Sequence, residues 1–402
     1  LSISGNRLKD KNGNNYQLRG MSFFWSNWQG KFWNYETIKW LRDDWHCNVI
    51  RAAMGISPDD NSGYFDKPDL ELHKMETVIE AAIDLGIYVI VDWHSHKAES
   101  EGSQEKAFFA EIAQKYGSHP NIIYETYNEP PGNDWGTIKS CQQAVVNEIR
   151  KYDTKNVIIV GTPFYSQDIN NATNNPLSGS NLSYALHYYA ASHTFWNSVG
   201  TVSSKGYYVF VSEFGTCDAS GAGSVDVNNS NTWWNTLDQY GVSWCNWAVS
   251  DVNEAAAIVK PGSSISGGWN PSSDLTTSGI LVRNKFRGYS QDRVPTNIAP
   301  YITSSPKSQS VPIQSIASFN VEVTGPEPFT YKWYFKGNPL SNSNAAAYTV
   351  ASVTEQDTGS YYVEITHAIG ETTSKTVRLD VRYRSPYYAT SQSNPGIIQF
   401  ED

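Results

Sequence analysis

The chain has 402 residues and a net charge of −10; 17% of its residues are charged and 13% aromatic, with 14 Trp and 25 Tyr. That length allows two or three domains and a large core. The acidic balance argues against a nucleic-acid phosphate backbone as partner, and no stretch approaches the roughly 20 consecutive apolar residues of a membrane span. Such aromatic wealth suits neutral, ring-shaped ligands that stack on indoles, and sugars are ligands of that kind. With no initiator Met and no apolar signal segment, Leu1 reads as a trimmed or engineered start. Four Cys (Cys47, Cys141, Cys217, Cys245) make no disulfide scaffold, and at most one bridge, of unspecified pairing, is expected. Cys47 and Cys245 lie in apolar runs and read as small buried hydrophobes.

In chain order, eight short apolar runs read as strands: YQLRGMSFF, CNVIRAAMG, IYVIVDWH, IIYETYNEP, NVIIVGTP, SYALHYYA, YYVFVSEFG and VSWCNWAVS. Helical patterns separate several of them. In LELHKMETVIEAAIDLG, Leu72, Met75, Ile79, Ala82 and Ile83 share a face and Gly86 supplies the stop. A second helix is expected from Trp135 to Tyr152, with Ile138, Cys141, Val145 and Ile149 at helical spacing. Near-continuous apolar strands alternating with helices indicate a parallel sheet. Eight such units predict an α/β fold, a closed (β/α)8 TIM barrel, with a doubly wound open sheet as the structural rival.

The polar residues fall where these runs end. Arg51 follows NVI, His94 follows VIVDW, and Asn128 and Glu129 follow IIYETY, where Pro130 and Pro131 stop the strand. His187 and Tyr189 end SYALHYY, Glu213 ends YYVFVS and Trp247 ends VSWCN. In a barrel these ends converge on one face. Any one of them has a bland reading as a buried ion pair or solvated rim; six together do not. Glu129 and Glu213 are a pair of carboxylates of the kind glycosidic cleavage needs, a proton donor and a second carboxylate across the sugar. Their repulsion is expected to raise the pKa of one, and an apolar wall around Glu129 would keep that residue protonated as the acid. Arg51 and Tyr189 would hold the other ionised.

At these residues the chain resembles family 5 glycoside hydrolases, above all their bacterial endo-β-1,4-glucanases. NEP after the fourth strand and SEFG after the seventh carry the likeness, with IRAAMG, VDWH, HYY and NWA. It covers residues 1 to about 290. By motif, the resemblance implies Glu129 as acid/base, Glu213 as nucleophile and Asn128 as partner of the sugar 2-hydroxyl. Arg51, His94, His187 and Tyr189 match a charge-positioning shell. Trp247 matches a stacking platform beneath the reacting sugar, and Trp28 resembles an aromatic that stacks one sugar further out. Two departures stand out. Phe24 occupies a place where relatives often carry His, and Val252 one where they often carry Lys, with Glu254 remaining nearby.

Bland readings hold elsewhere. ISPDDNSGYFDKPD reads as a solvated acidic loop rather than a calcium site, and His94-x-His96 as substrate-facing or structural rather than a metal pair. Trp233 and Trp234 read as packing in the barrel's outer ring.

A linker is expected over 286–298 after the catalytic barrel of 1–285. Alternating strands then predict a small all-β immunoglobulin-like sandwich over 299–382. Trp333 and DTGSYY resemble that fold's core tryptophan and tyrosine corner, with Val321 and Val363 where its disulfide would lie. The sandwich reads as a spacer, with sugar binding the alternative. Residues 383–402 read as linker followed by GIIQFED, which resembles the first strand of family 6 carbohydrate-binding modules, so the natural chain is expected to continue into one.

Together these readings predict a secreted, extracellular, monomeric, retaining endo-β-1,4-glucanase, a cellulase acting on β-glucan polysaccharides. No cofactor, metal, nucleic-acid or membrane partner is expected. A mannanase, xyloglucanase or mixed-linkage glucanase is the alternative, and a catalytically silent carbohydrate-binding protein on the same barrel a more distant one.

Overall fold

Each apolar run forms a strand, and the eight strands close on themselves. The computed structural model describes residues 1–56, 60–132, 134–289, 301–324, 328–341, 343–367 and 370–382. The barrel strands are β1 (Arg19–Phe23), β2 (Val49–Gly55), β3 (Tyr88–His94), β4 (Ile122–Glu125), β5 (Val157–Val160), β6 (Leu182–Tyr189), β7 (Val209–Gly215) and β8 (Ser243–Val249). All neighbours are parallel, and β8 returns to pair with β1 through Trp244 opposite Arg19. Closure excludes the doubly wound alternative, whose sheet would have open edges.

The strands are buried on both faces, which is why they read as continuous apolar runs rather than alternating ones. Val49, Ile90, Ile123, Val157, Ile159, Ala185 and Phe210 fill the barrel toward its N-terminal end. Leu8, from a hairpin of Ser2–Ser4 and Arg7–Lys9, packs into the same cluster. Each of the larger side chains contributes roughly 1.5–3 kcal/mol by leaving water. With that end filled by apolar groups, the polar residues are left to the opposite mouth.

The helices follow their patterns. Pro68–Leu85 buries Met75, Ile79, Ala82 and Ile83, although Leu72 is only partly covered, and it ends at Gly86 with φ 69°. A Cβ is disfavoured in that left-handed conformation. The helix from Trp135 stops at Ile149 rather than Tyr152. Trp233 and Trp234, on Val227–Tyr240, are fully buried; Trp233 stacks on Tyr188 at 3.9 Å. The last barrel helix, Thr277–Gly288, runs past the expected boundary at 285. All four cysteines are free, and Cys47 and Cys245 are buried. Among the described residues, no helix is long and apolar enough to cross a membrane.

The chain divides into two compact units, 1–296 and 297–402. In the second, strands Thr330–Phe335 and Gly359–His367 pair antiparallel at the centre of the main sheet. Trp333 is buried in one core with Val321, Val363 and Phe319. The Tyr361 hydroxyl donates to the Asp357 carbonyl at 2.9 Å, the tyrosine-corner contact. Most of the expected linker and all of the tail from 383, GIIQFED included, lie outside the described residues.

Candidate active site

Arg51 organises the barrel mouth. It points inward from β2, fully buried, where an unpaired cation would be untenable. Its guanidinium meets three carboxylates: Nε to Glu125 Oε2 at 2.6 Å, Nη1 to Glu213 Oε2 at 2.8 Å and Nη2 to Asp92 Oδ2 at 3.0 Å. Nη2 also donates to Asn128 Oδ1 at 2.6 Å. This one side chain therefore ties together β2, β3, β4, β7 and the segment that carries Asn128.

Glu213 has its other oxygen, Oε1, bonded by the Tyr189 hydroxyl at 2.9 Å. Burial and the neighbouring Glu213 push the Tyr189 phenol well above its ordinary value, so it remains a donor. Gly215 makes room for that ring, since a Cβ there would lie 2.3 Å from Tyr189 Cδ1.

Glu129 faces two imidazoles. His187 Nδ1 lies 2.9 Å from its Oε1 and His96 Nε2 3.1 Å from its Oε2. The far nitrogen of His187 meets Ser212 Oγ at 2.9 Å, and Ser212 donates on to Glu125 Oε1 at 2.5 Å. The apolar wall expected around Glu129 is not there. Burial alone would raise its pKa, but the hydrogen bonds and charge of His187 and His96 outweigh burial and bring it down to about 2. Burial likewise opposes charging His187, yet Glu125 and Glu129 pull it up to about 9. Glu213 is raised, first by burial and then by Glu129. The expectation of a raised Glu129 is therefore corrected: the proton beside it rests on His187.

Charge counting gives the same picture. The cations Arg51 and His187 face four carboxylates, which cannot all ionise in one buried volume. Burial raises Asp92 well above the ordinary range, whereas Arg51 and His187 overcome burial at Glu125 and lower it. His94 donates to or accepts from Asp92 at 2.7 Å, and burial, then Arg51, hold it well below its usual pKa, as a neutral ring.

Donor atoms of Glu129, His187 and Glu213 lie within 4.8 Å of one another. Two carboxyl groups about 5–5.5 Å apart suit direct attack on a sugar carbon, whereas placing a water between them takes about 6.5–9.5 Å. The same trio has the size of a cation site, but both oxygens of Glu213 and both nitrogens of His187 are already engaged.

Aromatic rings line the mouth. Trp247, 6% exposed, stacks on His94 at 5.2 Å and touches Phe24 at 5.1 Å. Trp25 meets His94 edge-on at 4.4 Å and leads to Trp28, which is 48% exposed. On the other side a cavity of about 320 Å³ opens beside Glu129, lined by Tyr165, Gln167, His187, Tyr189, His193 and Ala219. Its rim includes a left-handed turn: Phe164, Tyr165 and Ser166 have φ of 59°, 59° and 57°. Such residues cost roughly 1–2 kcal/mol each. Here the Phe164 and Tyr165 amides donate to the carbonyls of Gly132 and Pro130, and Ser166 Oγ donates to that of Asn128.

The structure thus gathers Arg51, His94, Asn128, Glu129, His187, Tyr189 and Glu213 into one hydrogen-bonded cluster, with Trp247 against it. Glu254 is not in it; it is exposed on the loop after β8, beside Gly221. His94 and His96 diverge, one toward Asp92 and the other toward Glu129. Asp92, Glu125, Ser212 and the Phe164–Tyr165 turn were not singled out from the sequence. The signal for the first two was Arg51 itself, because a buried guanidinium demands carboxylates on neighbouring strands.

Residues 9–253 match the cellulase family, glycosyl hydrolase family 5, and residues 299–367 match the immunoglobulin domain family. The chain is 42% identical over 306 residues to an endoglucanase of Clostridium saccharobutylicum, covering 74% of this chain and 67% of that protein. It is 44% identical over 294 residues to endoglucanase N of Pectobacterium atrosepticum, covering 71% and 65%. It spans between 57% and 67% of the length of the first curated relatives it matches. Among solved structures, one from Cytophaga hutchinsonii superposes with TM-score 0.69 at 45% identity, covering 71% of this chain and 94% of that one. The catalytic domain of Thermobifida fusca endoglucanase Cel5A superposes with TM-score 0.68 at 35% identity, covering 71% and 97%. A variant of that domain is known in complex with cellotetraose.

Proposed function

This chain belongs to glycosyl hydrolase family 5, and we propose that it is an endo-β-1,4-glucanase that cleaves internal bonds of cellulose-like β-glucans with retention of configuration. The observation that carries this reading is the pair Glu129 and Glu213, with carboxylate oxygens within 4.8 Å, set in one polar cluster between aromatic rings. Glu213, oriented by Arg51 and Tyr189, attacks the anomeric carbon. Glu129 passes to the glycosidic oxygen the proton that His187 Nδ1 hands it across their hydrogen bond, leaving Glu129 ionised and His187 neutral. A covalent glycosyl-enzyme forms; Glu129 then accepts a proton from the water that releases it. Asn128, anchored by Arg51, is set to meet the sugar 2-hydroxyl.

The curated relatives are named endoglucanases, and a neighbour's complex holds cellotetraose; both support a β-1,4-glucan substrate. Exposed Trp28, Phe164 and Tyr165 offer rings for sugars beyond the reacting one, which favours attack within a chain. Trp247 underlies the reacting sugar, and Glu254 serves at most the outer rim. An enzyme for an insoluble polymer acts outside the cell, and the sandwich serves as a spacer.

The test is a panel of polysaccharides assayed for reducing ends and viscosity. Rapid loss of viscosity of a soluble cellulose derivative, ahead of activity on mannan or xyloglucan, is expected. Preference for mannan or xyloglucan would move the assignment to that substrate, and no release from any would reduce the chain to a binding protein.

A further inference from the structure

We propose that Asp60 is a positioning residue for substrate: it fixes the indole of Trp28 so that the ring is held ready for a sugar to stack on. This rests on the reading of Trp28 as a sugar platform.

Trp28 stands on the four-residue turn Ser26–Gln29 that follows β1, half-exposed and tilted against Trp25 at 5.0 Å. The turn is anchored at both ends by different means. At its start, Ser26 Oγ donates to Glu71, a fully buried carboxylate on the helix Pro68–Leu85, and accepts from the Gly55 amide at 3.0 Å. Lys74 Nζ bonds Glu71 Oε1 at 2.6 Å and the Ser26 carbonyl at 2.9 Å, completing a buried clamp. The ring of Trp28 lies beyond the reach of that clamp. Its Nε1 donates to Asp60 Oδ2 at 2.7 Å. Asp60 is in turn bonded by Ser62 Oγ, which accepts from Asn27 Nδ2 at 2.9 Å.

The geometry has a consequence for binding. An indole N–H bond lies in the plane of the ring, so it fixes the ring's edge while leaving its face open. An exposed tryptophan without such a bond samples other rotamers, and ordering it on sugar binding weakens affinity. The acidic loop after β2, which read as merely solvated, thereby acquires a task. Asp60 does not touch the reacting atoms, so its loss should appear in KM and not in kcat.

A double-mutant cycle on the full chain tests this, with KM and kcat measured on cellohexaose. Asp60→Ala is expected to raise KM about three- to ten-fold with kcat held within about two-fold. Asp60→Asn, which keeps an oxygen for the indole N–H, should restore most of the loss. In a Trp28→Ala background, Asp60→Ala should have no further effect. If Trp28→Ala raises KM while Asp60→Ala does not, the proposal is overturned and the platform reading stands. The proposal also fails if Asp60→Ala acts equally in both backgrounds. If Trp28→Ala leaves KM unchanged, the platform reading itself is wrong and the proposal falls with it.

Discussion

His187 Nδ1 lies 2.9 Å from Glu129 Oε1, and in this pair the imidazole, not the carboxyl, holds the proton. In the proposed mechanism Glu129 acts as an acid by relay, its proton supplied by a histidine pulled up to about 9 by Glu125 and Glu129.

The pH dependence follows with definite sign. Glu213 must be ionised to attack, and its pKa is raised, so kcat/KM should fall on acidification above the ordinary carboxylate value of about 4.3. The His187–Glu129 pair must keep its proton, so activity should be lost only as pH rises through about 9. A kcat/KM profile on a soluble cellulose derivative checks both limbs. An alkaline limb near the unperturbed imidazole value of about 6.5 would contradict the relay. His187→Asn should lower kcat and displace the alkaline limb.

Glu129→Gln and Glu213→Gln should each abolish most turnover while leaving the fold intact, because each would remove one half of the proposed two-step displacement. Losses of several powers of ten are typical of groups that act as a unit. Circular dichroism would establish folding and reducing-end assays the loss; near-normal activity in either folded variant would dismiss the assignment.

Arg51→Met should cost stability as well as activity. The change strands Glu125, Asp92 and Glu213 in a buried volume with only His187 to balance them. Breaking a buried pair typically costs about 3–5 kcal/mol, a fall in Tm on the order of 10 °C in a domain this large. Differential scanning calorimetry measures it. An unchanged Tm would mean that these carboxylates are neutral and need no guanidinium.

The barrel and its polar strand ends were legible because each strand is buried on both faces and then stops. An apolar run followed abruptly by Arg51, His94, Asn128–Glu129 or Glu213 announces its own boundary. Asp92 and Glu125 were hidden by the same rule: both lie inside the runs, where a carboxylate looks like an interruption until Arg51 is seen across the barrel. The surroundings of Glu129 were misread because the strand before it is apolar, whereas its side chain projects past the strand end between His96 and His187. The Phe164–Tyr165 turn carries no glycine to advertise its positive φ, and its support comes from carbonyls at 128, 130 and 132. Glu254 was carried by motif alone, and the loop after β8 leads it away from the cluster.

The most direct test of the central claim, that Glu213 attacks the sugar while Glu129 passes the proton, is the configuration of the first product. Proton NMR during early hydrolysis of a cello-oligosaccharide should show the β-anomer appearing first, then mutarotating toward equilibrium. Initial α-anomer would mean that a water, not Glu213, attacks, and would contradict the account.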